Sequence, residues 1–150
     1  MNFASSLLLW VDNNERPLPW RETKDAYAIW LSEVILQQTR IAQGMAYWHR
    51  FIQQWPTVND LANASEDEVL KAWQGLGYYS RARNLHKAAQ QVVDRKGFPK
   101  TSKELKELKG VGEYTAAAIA SFAFDEAVAV VDGNVYRVLA RFKGIDTPID

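Results

Sequence analysis

With 150 residues, of which 47% are hydrophobic, the chain is long enough to bury the core of one domain or of two small lobes, and we do not expect disorder. Eighteen basic and eighteen acidic residues give a formal net charge of zero, so the bulk charge neither requires nor excludes a nucleic-acid partner. The absence of cysteine excludes disulfides and thiolate metal sites within these residues, and the segment "MNFASSLLLWVDNN" lacks both the basic start of a signal peptide and the length of a membrane span, which predicts a cytoplasmic protein.

Apolar residues recur at helical spacing along most of the chain, and residues with capping chemistry precede several of the helical segments. The expected N-caps are Asp25, Thr57, Ser65 and Thr101, of which the last two begin capping boxes with Glu68 and Glu104. The predicted helices span residues 3–13, 25–38, 41–54, 57–63, 66–74, 80–94, 102–108, 112–123 and 134–142. Residues 127–131 resemble a strand, but a single short strand has no partner, so we interpret them as an extended linker or a buried helix. The sequence therefore predicts an all-α protein.

Two glycines flank one valine in "LKELKGVGEYTAAAIASFAF", residues 105–124, where one predicted helix ends and a helix of small residues begins. Gly110 and Gly112, on either side of Val111, allow positive φ and a close approach of the backbone to another molecule. The N–H groups and the positive dipole end of the next helix suit an anion such as a DNA phosphate. From spacing alone, a glycine turn that only packs two helices together is the commoner explanation. Nine basic residues against three acidic ones between residues 79 and 110 favour the DNA interpretation.

A turn rich in aromatic residues precedes the longest predicted helix, in "WQGLGYYSRARNLHKAA", residues 73–89. Leu76 and Tyr78 present large side chains beside Arg81 and Arg83, an arrangement that suits wedging into or stacking on bases while the cations hold the backbone. Aromatic residues next to arginines also occur in ordinary packing on helix surfaces. This segment alone does not separate the two interpretations.

One acidic residue, Glu33, interrupts the apolar segment "IWLSEVILQQT", residues 29–39. On a helix, Trp30 and Leu36 share its face. Burial there would disfavour the charged carboxylate and raise its pKa, as in general acids that act near neutral pH. The alternative is a structural acid satisfied by Arg21, Arg137 or backbone N–H groups, since structural networks also perturb carboxyl groups. The residues around Glu33 leave both interpretations open.

A second carboxylate, Asp132, follows a hydrophobic run and precedes Gly133 and Asn134 in "VVDGNVYRVLAR", residues 130–141. In this position it can cap the following helix while one oxygen faces a cleft. A plain N-cap without further chemistry is the alternative. Glu33 and Asp132 are therefore the two acidic residues that the pattern singles out.

Taken together, these stretches resemble the adenine DNA glycosylases of the MutY type, within the helix-hairpin-helix glycosylase superfamily. The resemblance is carried by "LPWRETKDAYAIWLSEVILQQTRI", "WPTVNDLANASEDEVLKAWQGLGYYSRARNLHKAA", "GFPKTSKELKELKGVGEYTAAAIASFAF" and "VDGNVYRVLAR". The hairpin alone identifies only the superfamily, whereas "LSEVILQQT", "GLGYYSRARNL" and "DGNV" are typical of the adenine-removing branch. The resemblance implies a six-helix lobe, residues 21–132, with its helix-hairpin-helix at about 105–123, and an incomplete iron-sulfur cluster lobe from residues 1–20 and 133–150.

The resemblance implies a base-excision repair enzyme that extrudes adenine mispaired with 8-oxoguanine or guanine from double-stranded DNA and hydrolyses its N-glycosidic bond. Glu33 would then be the catalytic acid that protonates the departing base, and Asp132 would stabilise the sugar cation, as in two-carboxylate glycoside hydrolysis. The positions that match the base pocket or the sugar contacts are Arg16, Trp20, Tyr114 and Asn134. The positions that match DNA contacts are Gln38, Thr39, Leu76, Tyr78, Arg81, Arg83, Gly110, Val111 and Gly112.

Tyr114 separates two branches of the superfamily. Glycosylases of the endonuclease III type carry a lysine at this point, two residues after the second hairpin glycine, and its amine can form a Schiff base and cleave the strand. Tyrosine cannot, so we expect a monofunctional glycosylase. A non-catalytic hairpin module and an endonuclease III-like glycosylase for oxidised pyrimidines are the alternatives, and the presence of both Glu33 and Asp132 favours the adenine enzyme.

The chain departs from the family pattern in two respects. Lys109 stands where the hairpin usually has proline, and the match ends near Phe142, before the four cysteines of the family's [4Fe-4S] cluster and before its C-terminal domain. We therefore expect an N-terminal fragment, weak or inactive alone, with no metal ligands of its own. The full-length protein is expected to hold the cluster, to act as a monomer at the bacterial nucleoid without membrane contact, and to bind a monovalent cation at the hairpin.

Overall fold

The computed structural model describes residues 2–148 as helices joined by short loops. Helix α1 is Phe3–Asn14, and a 3-10 turn, Pro19–Arg21, precedes α2, Ala26–Ile35. The other helices are α3 Ile41–Gln54, α4 Val58–Asn63, α5 Glu66–Trp73, α6 Ser80–Asp94, α7 Ser102–Leu105, α8 Glu113–Phe124 and α9 Gly133–Lys143. Within residues 2–148 there is no strand, and residues 127–131 form a linker without regular structure. The all-α prediction is confirmed.

Local capping chemistry fixes the helix starts. The expected N-caps Asp25, Thr57, Ser65 and Thr101 each accept a backbone N–H of their own helix. Ser65 and Glu68 form a complete capping box, because the Glu68 carboxylate also accepts the Ser65 N–H at 2.8 Å. At Thr101 the carboxylate of Glu104 accepts from the hydroxyl, at 2.9 Å, in place of the backbone N–H. Only half of the second expected box therefore forms.

Two helices end three residues earlier than predicted. α2 stops at Ile35, and Gln38 adopts a left-handed conformation with φ 56° that cannot continue a helix. α7 stops at Leu105, after which Leu108 donates its N–H to the Leu105 carbonyl at 3.1 Å, a tighter turn than that of an α-helix. The chain continues from α2 to Gln38 and Thr39, and from α7 to the hairpin glycines Gly110 and Gly112.

Helix α2 runs through the centre of the molecule and packs against both α3 and α8. Every residue of α2 except Glu33 is buried. The core continues through Phe51 of α3 and Trp73 of α5, which are fully buried and meet edge to face with ring centroids 6.0 Å apart. Burial of such aromatic side chains supplies much of the stability of a domain of this size. Glu33 thus lies on a helix whose other residues are all buried.

α1 and α9 lie at the margin of this core. Neither helix has a buried residue, and the two meet through Phe3 and Phe142, whose ring centroids are 4.5 Å apart. α9 nevertheless begins next to the core, at the end of the linker that follows α8. No helix among residues 2–148 is long and apolar enough to cross a membrane.

Candidate functional site

Glu33 is the acidic residue of the central helix, and its carboxyl group is largely enclosed. Burial raises the pKa of Glu33 above its ordinary value, and the positive charge of Arg21 partly opposes this shift. The guanidinium of Arg21 stacks on the ring of Phe122 at 3.8 Å, which holds the charge near α2 and α8. A carboxyl group with a raised pKa can keep its proton closer to neutral pH and give it up as a general acid.

Asp132 is the N-cap of α9, as both sequence interpretations expected. Its Oδ1 accepts the N–H of Val135 at 2.9 Å, and its Oδ2 accepts from the side-chain amide of Asn134 at 3.2 Å. The bond from the Val135 backbone, helped by Asn134 and by the charge of Arg137, holds the pKa of Asp132 below its ordinary value. Asp132 is therefore ionised under conditions in which Glu33 keeps its proton.

Tyr114 is influenced by both carboxyl groups. Burial raises the pKa of its hydroxyl, and the negative charges of Glu33 and Asp132 raise that pKa further. The ring, 43% exposed, lines a cavity of about 280 Å³ between the hairpin helices, the linker and α9. Carboxyl groups ninety-nine positions apart in the sequence (132 minus 33) thus act electrostatically on one tyrosine.

The glycine-bridged hairpin joins α7 to α8 directly above α6. Gly110 has φ 76°, and its Cα lies so close to Asn84 that a Cβ atom there would be 2.8 Å from the Asn84 Cβ. Gln91 holds the segment that enters the turn, since its Oε1 accepts the Lys109 N–H at 2.7 Å and its Nε2 donates to the Glu107 carbonyl at 3.4 Å. The turn is thus fixed by side chains of α6.

The hairpin exposes one glycine to open space. Gly112 caps α8 with φ −88°, and a Cβ atom at this position would meet nothing within 4 Å, whereas Val111 beside it is buried. The first N–H groups of α8 have no acceptor within the helix and point the same way as its positive dipole end. The geometry suits an anion, and the fold itself does not require glycine at position 112.

Two loops flank the site: residues 36–40 connect α2 to α3, and residues 74–79 connect α5 to α6. Gln38 and Tyr78 lie in them with φ values of 56° and 47°, and Tyr78 is 66% exposed. Thr39 is half-buried, and its hydroxyl donates to the Gln37 carbonyl at 3.4 Å. Leu76 is buried in the core cluster. Of the residues matched to DNA contacts in these loops, Gln38 and Tyr78 reach solvent most clearly.

The remaining expected site residues lie apart from the carboxyl pair or face inward. Trp20 is buried against Trp48, ring centroids 5.6 Å apart, and Arg16 is exposed beside a shallow cavity that Arg21 also lines. Arg83 is exposed, with its Nε 3.8 Å from a Glu66 carboxylate oxygen. The guanidinium of Arg81 points inward, to backbone carbonyls, rather than outward.

Sequence reasoning missed two polar residues of α6. Asn84 and Gln91, which support the hairpin, are seven residues apart and therefore lie on the same helix face, the one that also carries the buried Ala88. Polar side chains on an otherwise buried face were the available signal. Arg21 was considered only as a structural partner of Glu33, and its stacking on Phe122 depends on contacts that the local sequence does not reveal.

The chain offers no site for a metal centre in its described part. No three His, Asp or Glu side chains among residues 2–148 are close enough together to hold a metal ion. A [4Fe-4S] cluster is held by cysteine thiolates, and the sequence contains none. The residues present therefore do not fit the expected cluster, and we assign no chemical step to it.

An all-α fold in which a glycine-bridged helical hairpin lies beside a pair of carboxyl groups defines a helix-hairpin-helix protein. The profile described as "HhH-GPD superfamily base excision DNA repair protein" matches residues 31–150, and the chain belongs to this family. It is 50% identical over 154 residues to the adenine DNA glycosylase of Rattus norvegicus, a match that covers 95% of this chain and 30% of the relative. For the Homo sapiens protein of the same name, the identity is 50% over 95% of this chain and 28% of the relative.

A solved structure supports the same fold. The structure of a thermostable thymine-DNA glycosylase superposes with a TM-score of 0.85 at 30% identity, over 91% of this chain and 64% of that one. The chain thus spans less than a third of the length of the two curated relatives.

Proposed function

We propose that the chain carries the catalytic residues of an adenine DNA glycosylase that removes adenine mispaired with 8-oxoguanine or guanine from double-stranded DNA. The observation that carries the proposal is a pair of carboxyl groups with opposite pKa shifts, Glu33 raised and Asp132 lowered, whose charges both act on Tyr114. Pairs of acids whose surroundings separate their pKa values are the usual acid and base of glycosidic chemistry. The two relatives at 50% identity support adenine as the base.

In this proposal Glu33 donates its proton to a ring nitrogen of the flipped adenine, so that the base departs neutral as the bond from the sugar C1′ breaks. Asp132, held ionised by its backbone and side-chain hydrogen bonds, stabilises the positive charge that develops on the sugar. Water then adds at C1′, loses a proton, and leaves an abasic site. General-acid catalysis of this kind contributes about 10²–10⁴ in rate.

Tyr114 supports a monofunctional mechanism. A phenol with a raised pKa is neutral and cannot form the Schiff base through which a lysine at this position would cleave the strand. In this proposal its hydroxyl helps to orient the sugar, and the side-chain amide of Asn134 donates to Asp132 at 3.2 Å. Arg16 and Trp20 remain proposed members of the base pocket, with Trp20 acting through packing because it is buried.

Double-stranded DNA is the proposed partner, since chemistry on a base within a duplex requires that the base leave the stack at a cost of a few kcal/mol. The open space at Gly112 and the N–H groups of α8 would receive a phosphate, with Gly110 and the buried Val111 shaping the turn. Gln38 and Tyr78 would enter or border the vacated space, supported by Thr39 and Leu76 beside them, and Arg83 would contact the backbone.

We also propose the expected division of the chain, in which residues 21–132 form the catalytic lobe and the marginal helices α1 and α9 belong to a second lobe. Support comes from the absence of buried residues in both marginal helices. The relatives are more than three times as long as the matched part, so the intact protein is the right object for functional tests.

The test is base release by the intact protein from duplexes of one sequence with adenine opposite 8-oxoguanine, guanine or thymine. Because a thymine-DNA glycosylase shares the fold at 30% identity, thymine opposite guanine is included, as is an oxidised pyrimidine. We expect adenine release from the two mispairs and none from the adenine-thymine pair. Release of thymine or of the oxidised pyrimidine alone, or binding without any release, would reject the proposal.

A further inference from the structure

Arg81 is a charged residue in the first turn of α6 whose guanidinium is directed into the protein. Nη1 donates to the carbonyl oxygens of Val34 at 3.1 Å, Ile35 at 3.4 Å and Gln37, and Nη2 donates to the carbonyl of Leu76 at 3.3 Å. The first three carbonyls belong to the end of α2 and to the loop after it. The last carbonyls of a helix have no N–H donor within the helix, so they are free to accept from Arg81. The fourth belongs to the turn between α5 and α6. One side chain thus binds both loops.

The two loops share an unusual backbone. In the α2–α3 loop, residues 36–40, Gln38 has φ 56°, and in the α5–α6 loop, residues 74–79, Tyr78 has φ 47°. Residues other than glycine hold this conformation only where their surroundings impose it, and such positions cluster at functional sites. Because Arg81 bonds directly to the carbonyls of both loops, it is the contact that can impose both conformations together.

The guanidinium of Arg81 also packs against Trp73. It lies over the ring of Trp73 with 4.9 Å between Cζ and the ring centroid, and the indole N–H of Trp73 donates to the Gly77 carbonyl at 2.9 Å. The Nε of Arg81 is buried without a hydrogen-bond partner in the described part of the chain. The backbone contacts leave the guanidinium fewer N–H groups for a phosphate than an arginine that extends into solvent would have.

We propose that Arg81 is a positioning residue that couples the two loops, so that Gln38 and Tyr78 meet DNA as one preformed unit. What the loops contact rests on the proposed function, whereas the coupling itself is a property of the protein without DNA. Preformed loops avoid the free-energy cost of ordering on binding. That cost would otherwise weaken the complex in which the base is extruded from the duplex.

Amide hydrogen exchange of the intact, DNA-free protein tests the coupling. The variants are Arg81→Lys and Arg81→Gln, with Lys87→Ala as the matched control because Lys87 is an exposed cation of the same helix. A lysine ammonium cannot reach four carbonyls, so both Arg81 variants should exchange about tenfold faster in both loops. The amide of the buried Leu61 in α4 should be unchanged in these variants, and exchange throughout Lys87→Ala should match the parent. Faster exchange in one loop alone, or in neither, would overturn the proposal.

DNA binding provides the readout that a purely structural role would not move. If Arg81 contacted a phosphate, Arg81→Gln would make the slope of log K for DNA binding against log salt shallower by about 0.9. If Arg81 positions the loops, the slope should be unchanged, and the fluorescence gain of 2-aminopurine at the target base, which reports extrusion, should be smaller. A shallower slope or an undiminished gain would count against the proposal. If Arg81→Gln does not fold, exchange in Arg81→Lys still decides. A parent protein that releases no adenine but shows coupled loops rejects only the proposed function.

Discussion

Replacement of Gly110 by alanine is expected to destabilise the protein, whereas the same replacement at Gly112 is not. The left-handed φ of 76° at Gly110 costs an alanine about 1–2 kcal/mol. Its Cβ would lie 2.8 Å from the Cβ of Asn84, and relief of such an overpacked contact costs about 1–3 kcal/mol more. The free energy of unfolding should therefore fall by about 2–5 kcal/mol in Gly110→Ala and by less than about 0.5 kcal/mol in Gly112→Ala, whose Cβ meets nothing within 4 Å.

Urea unfolding of the intact protein measures both values, and the source of the loss can be separated. In a double-mutant cycle, Asn84→Gly removes the atom that the new Cβ meets, so it should recover the steric part of the loss in Gly110→Ala but not the backbone part. Equal stability of the two alanine variants, or no coupling to Asn84, would refute the reasoning. At unchanged stability, Gly112→Ala should still bind DNA at least about tenfold more weakly, because its Cβ occupies the space that a phosphate would enter.

Three further predictions concern the site and its support. Tyr114→Lys should introduce strand cleavage, detected as an adduct trapped by borohydride, and abundant adduct in the unmutated protein would oppose the monofunctional mechanism. Burial raises the pKa of Glu33 above the unfolded value of 4.5, so the folded state binds an extra proton between the two values and stability falls as pH rises through this window. Glu33→Gln removes that loss, and urea unfolding should show it gaining stability over the parent from acidic to neutral pH; a constant difference would contradict this. Phe51→Ala, in the centre of the core, should cost about 3–5 kcal/mol by the same measurement, and a loss under 1 kcal/mol would mean that the core packs differently.

The features that the sequence could predict are those encoded over a few residues. Thr57 and Ser65 cap their helices because a hydroxyl three residues before an acidic side chain finds its partners locally. The glycines around Val111 likewise marked the hairpin without knowledge of the rest of the fold. The two candidate acids were found in the same way, from one charge in an apolar helix and one at a helix start.

The features that could not be predicted depend on contacts between distant segments. α2 ends three residues before the predicted boundary, and its last carbonyls accept from Arg81, forty-six positions beyond Ile35 (81 minus 35), which no local pattern reveals. Leu76 and Trp20 carry side chains that a local pattern assigns equally well to a pocket or to the core, and the fold buries both. That the charges of Glu33 and Asp132 both act on Tyr114 depends on the path of the chain between them, which the local sequence does not reveal.

The central claim is that Glu33 gives up a proton to the base while Asp132 stays ionised. The most direct test is the pH dependence of single-turnover adenine release by the intact protein, Glu33→Gln and Asp132→Asn. The parent rate should fall as pH rises through the raised pKa of Glu33 and should hold on the acidic side until Asp132 protonates at its lowered pKa. Glu33→Gln should lose about 10²–10⁴ in rate, and its rate should not fall further at high pH. A Glu33→Gln variant that releases adenine at the parent rate with the same pH profile would contradict it.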